Sequence, residues 1–234
     1  GLVSRAGVLP GGYSLDHVGP LARTVADAAA YLQAIAGPDD RDPAGSRMPP
    51  ADYSAGLERG IRGVRVGVPK VQASELIDEE MRAAFESALD TLRGEGARLM
   101  PIDVPDHILA RTCMWAISAS ELAESHREWL KTRGEDYSPT VRGLIKQGAF
   151  LPATEYVRAQ RVRQKIIGAY EEVMREVELI AMPTVPFPGW TIGSEEIVIN
   201  GTREGLMGAL TRYCPPFNIT GMPAVAVPNG FSRD

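Results

Sequence analysis

The stretch RGVRVGVPKVQASELIDEEMRAAFESALDTLRGEGARLMPIDV, residues 62–104, changes periodicity twice, and those changes decide the fold class. Around Val64, Val66 and Val68 apolar residues alternate with the period of a strand. Met81, Phe85, Ala88 and Leu92 then recur at helical spacing over residues 78–93, closed by Gly94 and Gly96. Residues 98–104 return to strand character. Strand, helix and strand within roughly 40 residues predict a right-handed crossover in a parallel or mixed sheet.

The flanking sequence extends this pattern. Residues 24–36 read as a helix with Val25, Ala28, Ala29, Leu32 and Ile35 on one face, a capping pair in Thr24 and Asp27, and Gly37 as its stop. Residues 38–63, rich in Pro, Gly and Asp, read as a long surface excursion. Helical patterns cover 106–132, 138–147 and 154–177. A buried strand over 179–182 runs into a Pro-rich loop at 183–193. A last helix is predicted at 202–210 and a short strand at 224–228. Strands separated by helices predict the α/β class, a sandwich built as one domain over residues 1–234.

Composition narrows the functions. The chain has 234 residues, 44% of them hydrophobic, enough for a sizeable core. A net charge of −5 with interspersed signs predicts no nucleic-acid partner. No apolar run is long enough to span a bilayer, so no membrane partner is expected. Cys113 and Cys214 stand far apart without a C-x-x-C, which fits a reducing, cytoplasmic location. His17, His107 and His126 lack metal-ligand spacing and are expected at the surface or hydrogen-bonded, so no metal or other cofactor is expected. No phosphate-binding Gly-rich motif, no G-x-S-x-G and no Ser-x-x-Lys is present. The carboxylate clusters at Asp39-Asp40, Asp78-Glu79-Glu80 and Glu171-Glu172 fall in loops or on polar helix faces, where solvated surface is the expected role.

Four blocks carry a resemblance. Residues 1–43 contain GLVSRAGVLP, then SLDHVGP, then ARTVADAAAYLQAIAG; residues 137–163 contain YSPTVRGLIKQG and YVRA; residues 179–188 read LIAMPTVPFP; residues 211–228 read TRYCPPFNITGMPAVAVP. In order and spacing they resemble the amidase signature hydrolases. The resemblance implies an α/β/α sandwich with a mixed β-sheet, and hydrolysis of the carbon–nitrogen bond of a small-molecule amide. In such enzymes one serine attacks the carbonyl, a second serine held by a cis peptide relays the proton, and a neutral buried lysine is the base. That family's Lys and Gly/Ser-rich loop lie upstream of the block matched at residue 1, and further strands follow the block matched at 228. The chain is therefore expected to be an amidase portion truncated at both ends, inactive alone, whose partner is the missing N-terminal half. No catalytic residue is assigned on it. Apolar surface left open by truncation would favour a homo-oligomer.

Asp16 is expected to brace a tight loop by accepting backbone N–H bonds, with Gly19 and Pro20 ending extended structure before the first helix. Thr184, beyond the carboxyl end of a strand, is the candidate substrate-binding residue, with loop stabilisation as its other reading. Asn218, Thr220 and Gly221 read as a turn, and Asn200-Gly201-Thr202 only as a glycosylation sequon. Met114, Trp115 and Trp129 suit either core or pocket wall.

Two other functions compete. The A subunit of a tRNA-dependent glutamine amidotransferase shares the signature. Those subunits usually carry paired arginines soon after the position of Val141, where this chain has Arg142-Gly143-Leu144, and an Asp at the position of Thr211. Both departures favour a hydrolase. A non-catalytic scaffold that kept the fold is the third reading.

Overall fold

The computed structural model describes residues 1–70, 76–105 and 107–233. Its chain forms two compact units, Gly1–Gly60 with Trp115–Val157 and Ile61–Met114 with Arg158–Asp234.

The second unit holds the sheet. Strand β1 (Arg65–Pro69) pairs in parallel with β2 (Arg98–Ile102), from Arg65 opposite Arg98 to Pro69 opposite Ile102. Helix α2 (Glu79–Gly94) makes the crossover. Asp78 caps it by accepting from the Glu80 amide, and Met81, Phe85, Ala88 and Leu92 are its part-buried face. At its end Gly96 takes φ +90°, a left-handed turn that L side chains resist, and the chain folds back into β2. The strand expected over 179–182 is β3 (Leu179–Ile180), parallel to β1, so the order is β2-β1-β3. The fold is α/β.

The carboxyl-terminal part of this unit differs from expectation at three places. The helix predicted at 202–210 begins only at Leu206. Before it, β4 (Glu196–Ile199) and β5 (Thr202–Gly205) form an antiparallel hairpin, followed by α7 (Leu206–Leu210). The cause is Asn200-Gly201, whose φ values of 48° and 78° make the two-residue turn that strand twist favours. Ile199, Leu206 and Ala209 then bury against Phe187. The turn read at 218–221 is the end of a short helix, α8 (Pro215–Thr220), opened by two prolines and closed by Gly221 at φ 74°. No strand is assigned at 224–228.

In the first unit, α1 (Val25–Ile35) is capped by Thr24, which accepts from the Asp27 amide at 3.0 Å. Ala28, Ala29, Leu32 and Ile35 are half-buried, while Val25 is exposed. After Gly37 the chain turns repeatedly to Gly60 without an assigned helix or strand. Within that stretch Asp42 is buried and holds Arg5 through two side-chain bonds of 2.7 and 3.0 Å. The Arg5 guanidinium keeps the Asp42 carboxyl well below the usual carboxylate range.

The helix expected over 106–132, whose first residue lies outside the described residues, is divided at His126 into α3 (His107–Ser125) and α4 (Arg127–Arg133). His126 is 4% exposed, with Nε2 donating to the Pro10 carbonyl at 2.6 Å and Nδ1 accepting from the Tyr137 hydroxyl at 2.7 Å. A carbonyl only accepts, so this pair of bonds fixes the ring tautomer. Ser138 caps α5 (Pro139–Ala149), and α6 (Ala153–Glu176) follows. Leu122, Ala123 and Ile145 form the core between α3 and α5.

Candidate functional site

Within the sheet-bearing unit a cavity of about 580 Å³ lies beside β3. The chain leaves β3 through a run of prolines, and Pro183, Pro186 and Phe187 are buried. The Pro186 carbonyl accepts from the Asp78 amide at 2.8 Å, tying the loop to the start of α2. With those points fixed, Thr184 sits exposed on the cavity wall. Its carbonyl accepts from the Cys214 thiol at 3.4 Å, so residues 30 apart in sequence form one rim.

The opposite wall is α8. Proline at its first positions suits a helix start, where amides have no intrahelical acceptor. Thr220 donates back to the Pro216 carbonyl at 2.8 Å, and Gly221 donates to Phe217 at 2.9 Å. Arg163 of α6 donates to the Ile219 carbonyl at 2.7 Å, which neutralises part of the negative end of α8. Phe217 packs edge-on against Tyr170, ring centroids 6.4 Å apart. Tyr170 is 2% exposed, and burial pushes its phenol up to about 12, so it stays neutral. Met174, Met182 and Met222 complete an adaptable apolar lining, with Thr184, Cys214 and Asn218 as polar points.

The chemistry of these groups is limited. Burial raises the Cys214 thiol above its ordinary value, and Cys113, buried and donating to the Ala159 carbonyl at 3.0 Å, is raised for the same reason. A neutral thiol is a poor nucleophile, so neither cysteine is equipped for attack at neutral pH. At the rim the Glu178 carboxyl is held low by its hydrogen bonds with Arg65, leaving it an anion engaged on β1. The lysines are Lys70, Lys131, Lys146 and Lys165, and all are exposed. Lys70 pairs with Asp103 at 2.7 Å, the reverse of the desolvated setting a lysine base requires. The chain offers a shaped apolar wall without an activated nucleophile among these groups.

Thr184 and Asn218 therefore line one cavity, with Gly221 as the cap of the helix carrying Asn218. Asp16, Gly19 and Pro20 belong to the other unit. There Asp16 accepts from the amides of Gly11 and Gly12 at 2.8 and 2.9 Å, while Gly19 is exposed and Pro20 half-buried. A second carboxylate holds the same loop: Glu121 of α3 accepts from the Ser14 amide at 2.7 Å and from the Tyr156 hydroxyl at 3.0 Å. Sequence reasoning missed Glu121, because it lies 107 residues from Ser14 and no local motif marks it. Replacing Asp16 by Ala is expected to cost about 2 kcal/mol, lowering Tm by roughly 4–8 °C. Asp16→Asn, which keeps one acceptor oxygen, is expected to lose about half as much. Thermal unfolding of both variants checks the order.

Among the described residues no helix is long and apolar enough to cross a membrane, and no group of three or more His, Cys, Asp or Glu is placed to hold a metal ion. The family profile named Amidase matches residues 1–234. A Pseudomonas putida protein named "Amidase" is 37% identical over 235 residues, covering all of this chain (100%) and 50% of that protein. The structure of a vestigial protein complex, described as revealing the origins of an s-triazine catabolic enzyme, superposes with TM-score 0.86 at 31% identity, covering 94% of this chain and 48% of that one. The A subunit of glutamyl-tRNA(Gln) amidotransferase from Thermotoga maritima superposes with TM-score 0.80 at 30% identity, covering 100% and 50%. The chain thus spans about half the length of the curated relatives it matches.

Proposed function

This chain belongs to the amidase family, and from that premise we propose that it is the substrate-side portion of a parent enzyme that hydrolyses a carboxamide carbon–nitrogen bond. The observation that carries this is the mismatch between coverage and chemistry. The family match runs the length of the chain, yet every lysine on it is exposed, and amidase chemistry of this kind needs a buried neutral one. The nucleophilic serine, the relaying serine and the lysine base belong to the remainder of the parent, as the resemblance implies, and these residues alone hydrolyse nothing. Residues 1–234 are then part of one larger amidase domain, with 38–63 as its surface excursion.

In that parent, Thr184 offers its hydroxyl to the bound carboxamide at the carboxyl end of β3, where open α/β sheets place ligands. Cys214 and Asn218 flank it, and the methionine-rich wall receives the apolar part of the substrate. Asp16 braces the loop at residues 11–16, while Gly19, Pro20 and Gly221 shape turns. The free thiols Cys113 and Cys214 suit a cytoplasmic enzyme.

The test is ammonia release by the full-length parent from a panel of neutral carboxamides. Thr184→Val should lower kcat/KM roughly tenfold, the loss of about 1.4 kcal/mol of hydrogen bonding, with Tm unchanged because the side chain is exposed. An unaltered kcat/KM removes Thr184 from the site. A parent that releases no ammonia from any amide, glutamine included, removes the hydrolase reading and leaves the scaffold.

The amidotransferase reading is favoured by the Thermotoga maritima superposition and by the 35% identity to the A subunit of a Chloroflexus aggregans glutamyl-tRNA(Gln) amidotransferase. Against it stand Arg142, which pairs with Glu135 at 2.6 Å, and Thr211, whose hydroxyl donates to the Met207 carbonyl at 2.7 Å. Glutamine as the sole substrate cleaved would reverse the preference.

A further inference from the structure

Two of the chain's three asparagines, Asn200 and Asn229, are followed by glycine. Glycine puts no side chain beside its own backbone nitrogen, so an asparagine amide is most easily attacked from a following glycine. Asn229 and Gly230 belong to no helix or strand, and changing them breaks no ladder. Asn200-Gly201 is different, because it is the β4–β5 turn. Both residues are exposed, at φ 48° and 78°. The ladder closes at Ile199 opposite Thr202, which leaves the two turn residues outside it. Nothing lies within 4 Å of a Cβ built on Gly201, so that side of the turn is open. The Asn200 side chain is held from Nδ2, which donates to the Ile77 carbonyl at 2.8 Å and ties the turn to the residue before the α2 cap. The hairpin itself is a separate two-stranded sheet with four residues in each strand. Such a ribbon is marginal on its own and opens locally at low cost.

We propose that Asn200 is a site of spontaneous covalent modification, reached when the turn opens, and that its conversion frees the hairpin from α2. The Gly201 nitrogen gives up its proton and attacks Cγ of Asn200. A C–N bond forms, the Cγ–Nδ2 bond breaks, and Nδ2 leaves as ammonia with that proton. Water then opens the cyclic imide at either carbonyl, giving aspartate or isoaspartate. Aspartate turns the group that donated to the Ile77 carbonyl into a carboxylate facing it. The cavity there is already lined by Asp78, Glu79 and Glu80, and its cation, Arg233, is paired with Glu80 at 3.4 Å. Repulsion thus replaces a hydrogen bond. Isoaspartate acts on the backbone, routing the main chain through Cβ and Cγ and lengthening the turn by a methylene. A two-residue turn fixes hairpin register, so Ile199 no longer closes on Thr202, and Ile199 and Leu206 lose their fit against Phe187. None of these steps depends on the hydrolase reading.

The test is peptide mass mapping of the full-length parent, held at neutral pH over a time course with and without urea. Conversion exchanges an amide NH2 for OH, and enzymatic methylation marks the isoaspartate fraction. Asn200 is expected to convert in the native protein, about tenfold more slowly than in urea because the hairpin must first open. Amide hydrogen exchange over 197–204 should then be at least about tenfold faster in aged than in fresh protein. Asn200→Gly keeps a turn of the favoured type and has no amide to lose, so its exchange should not change with age. Asn200→Asp makes the aspartate product without the lengthened turn, and its exchange should fall between fresh and aged wild type. Conversion of Asn200 in urea but not in the native protein overturns the proposal, since the bond to Ile77 then keeps the amide out of reach. Conversion that leaves hairpin exchange unchanged, or equal ageing in Asn200→Gly, overturns the release of the hairpin.

Discussion

Gly148→Ala is expected to destabilise the first unit by about 3 kcal/mol or more, lowering Tm by roughly 6–12 °C. A Cβ at position 148 would lie 1.8 Å from the Ala119 carbonyl oxygen and 2.4 Å from its carbon. These are backbone atoms of α3, so no rotamer change relieves the overlap and the two helices must separate. Separation opens the core of Leu122, Ala123 and Ile145, where Ile145 is fully buried. Helix propensity works the other way, since Ala is favoured over Gly by up to about 1 kcal/mol in a helix interior, but the steric overlap outweighs it. Gly143 on the same helix isolates the propensity effect. Nothing lies within 4 Å of its added Cβ, so Gly143→Ala should stabilise by about 0.5–1 kcal/mol. Thermal unfolding of the two variants decides: opposite signs confirm the close crossing, and a neutral Gly148→Ala shows that α3 and α5 stand further apart.

What the sequence made legible was local. β1, α2 and β2 follow from a change of periodicity over residues 62–104, and the cap Thr24 sits where a side-chain oxygen meets an orphan amide. The hairpin was also legible, because Asn200-Gly201 directly after the apolar run Ile197-Val198-Ile199 is a turn signal; reading it only as a sequon extended a helix four residues too far back. The break at His126 was not. It depends on partners at Pro10 and Tyr137, and the nearest-neighbour pattern continues as a helix straight through it. The same holds for the candidate site. Thr184 stands out by its place after a strand, whereas its rim contact with Cys214 and the Glu121 anchor of the 11–16 loop join residues that only tertiary folding brings together. Residues 224–228 are the converse case: the strand pattern is present and the structure lacks the ladder, because a strand needs a neighbour as well as a propensity.

Breaking the Arg212–Glu204 pair should be the most costly polar change in the second unit. Arg212 is 8% exposed, and its guanidinium donates to both carboxylate oxygens of Glu204 and to the Leu76 carbonyl. The pair joins β5 to the residues after α7 and so holds the hairpin against the core of Phe187, Ile199 and Leu206. Glu204→Ala leaves the cation without its counter-charge, at an expected cost of about 3 kcal/mol, toward the lower end for buried pairs because the Glu204 side chain is 22% exposed. The double variant Glu204→Leu with Arg212→Met removes both charges and fills the space with apolar volume. It should recover most of that loss, with about 1 kcal/mol left over for the hydrogen bond to Leu76. Urea unfolding of wild type, single and double variants measures the difference directly. If Glu204→Ala costs less than about 1 kcal/mol, water reaches the guanidinium and the pair behaves as an ordinary surface ion pair. If the double variant is no better than the single, the pair is a source of packing rather than of compensated charge, and the hairpin is held by the shape of the two side chains.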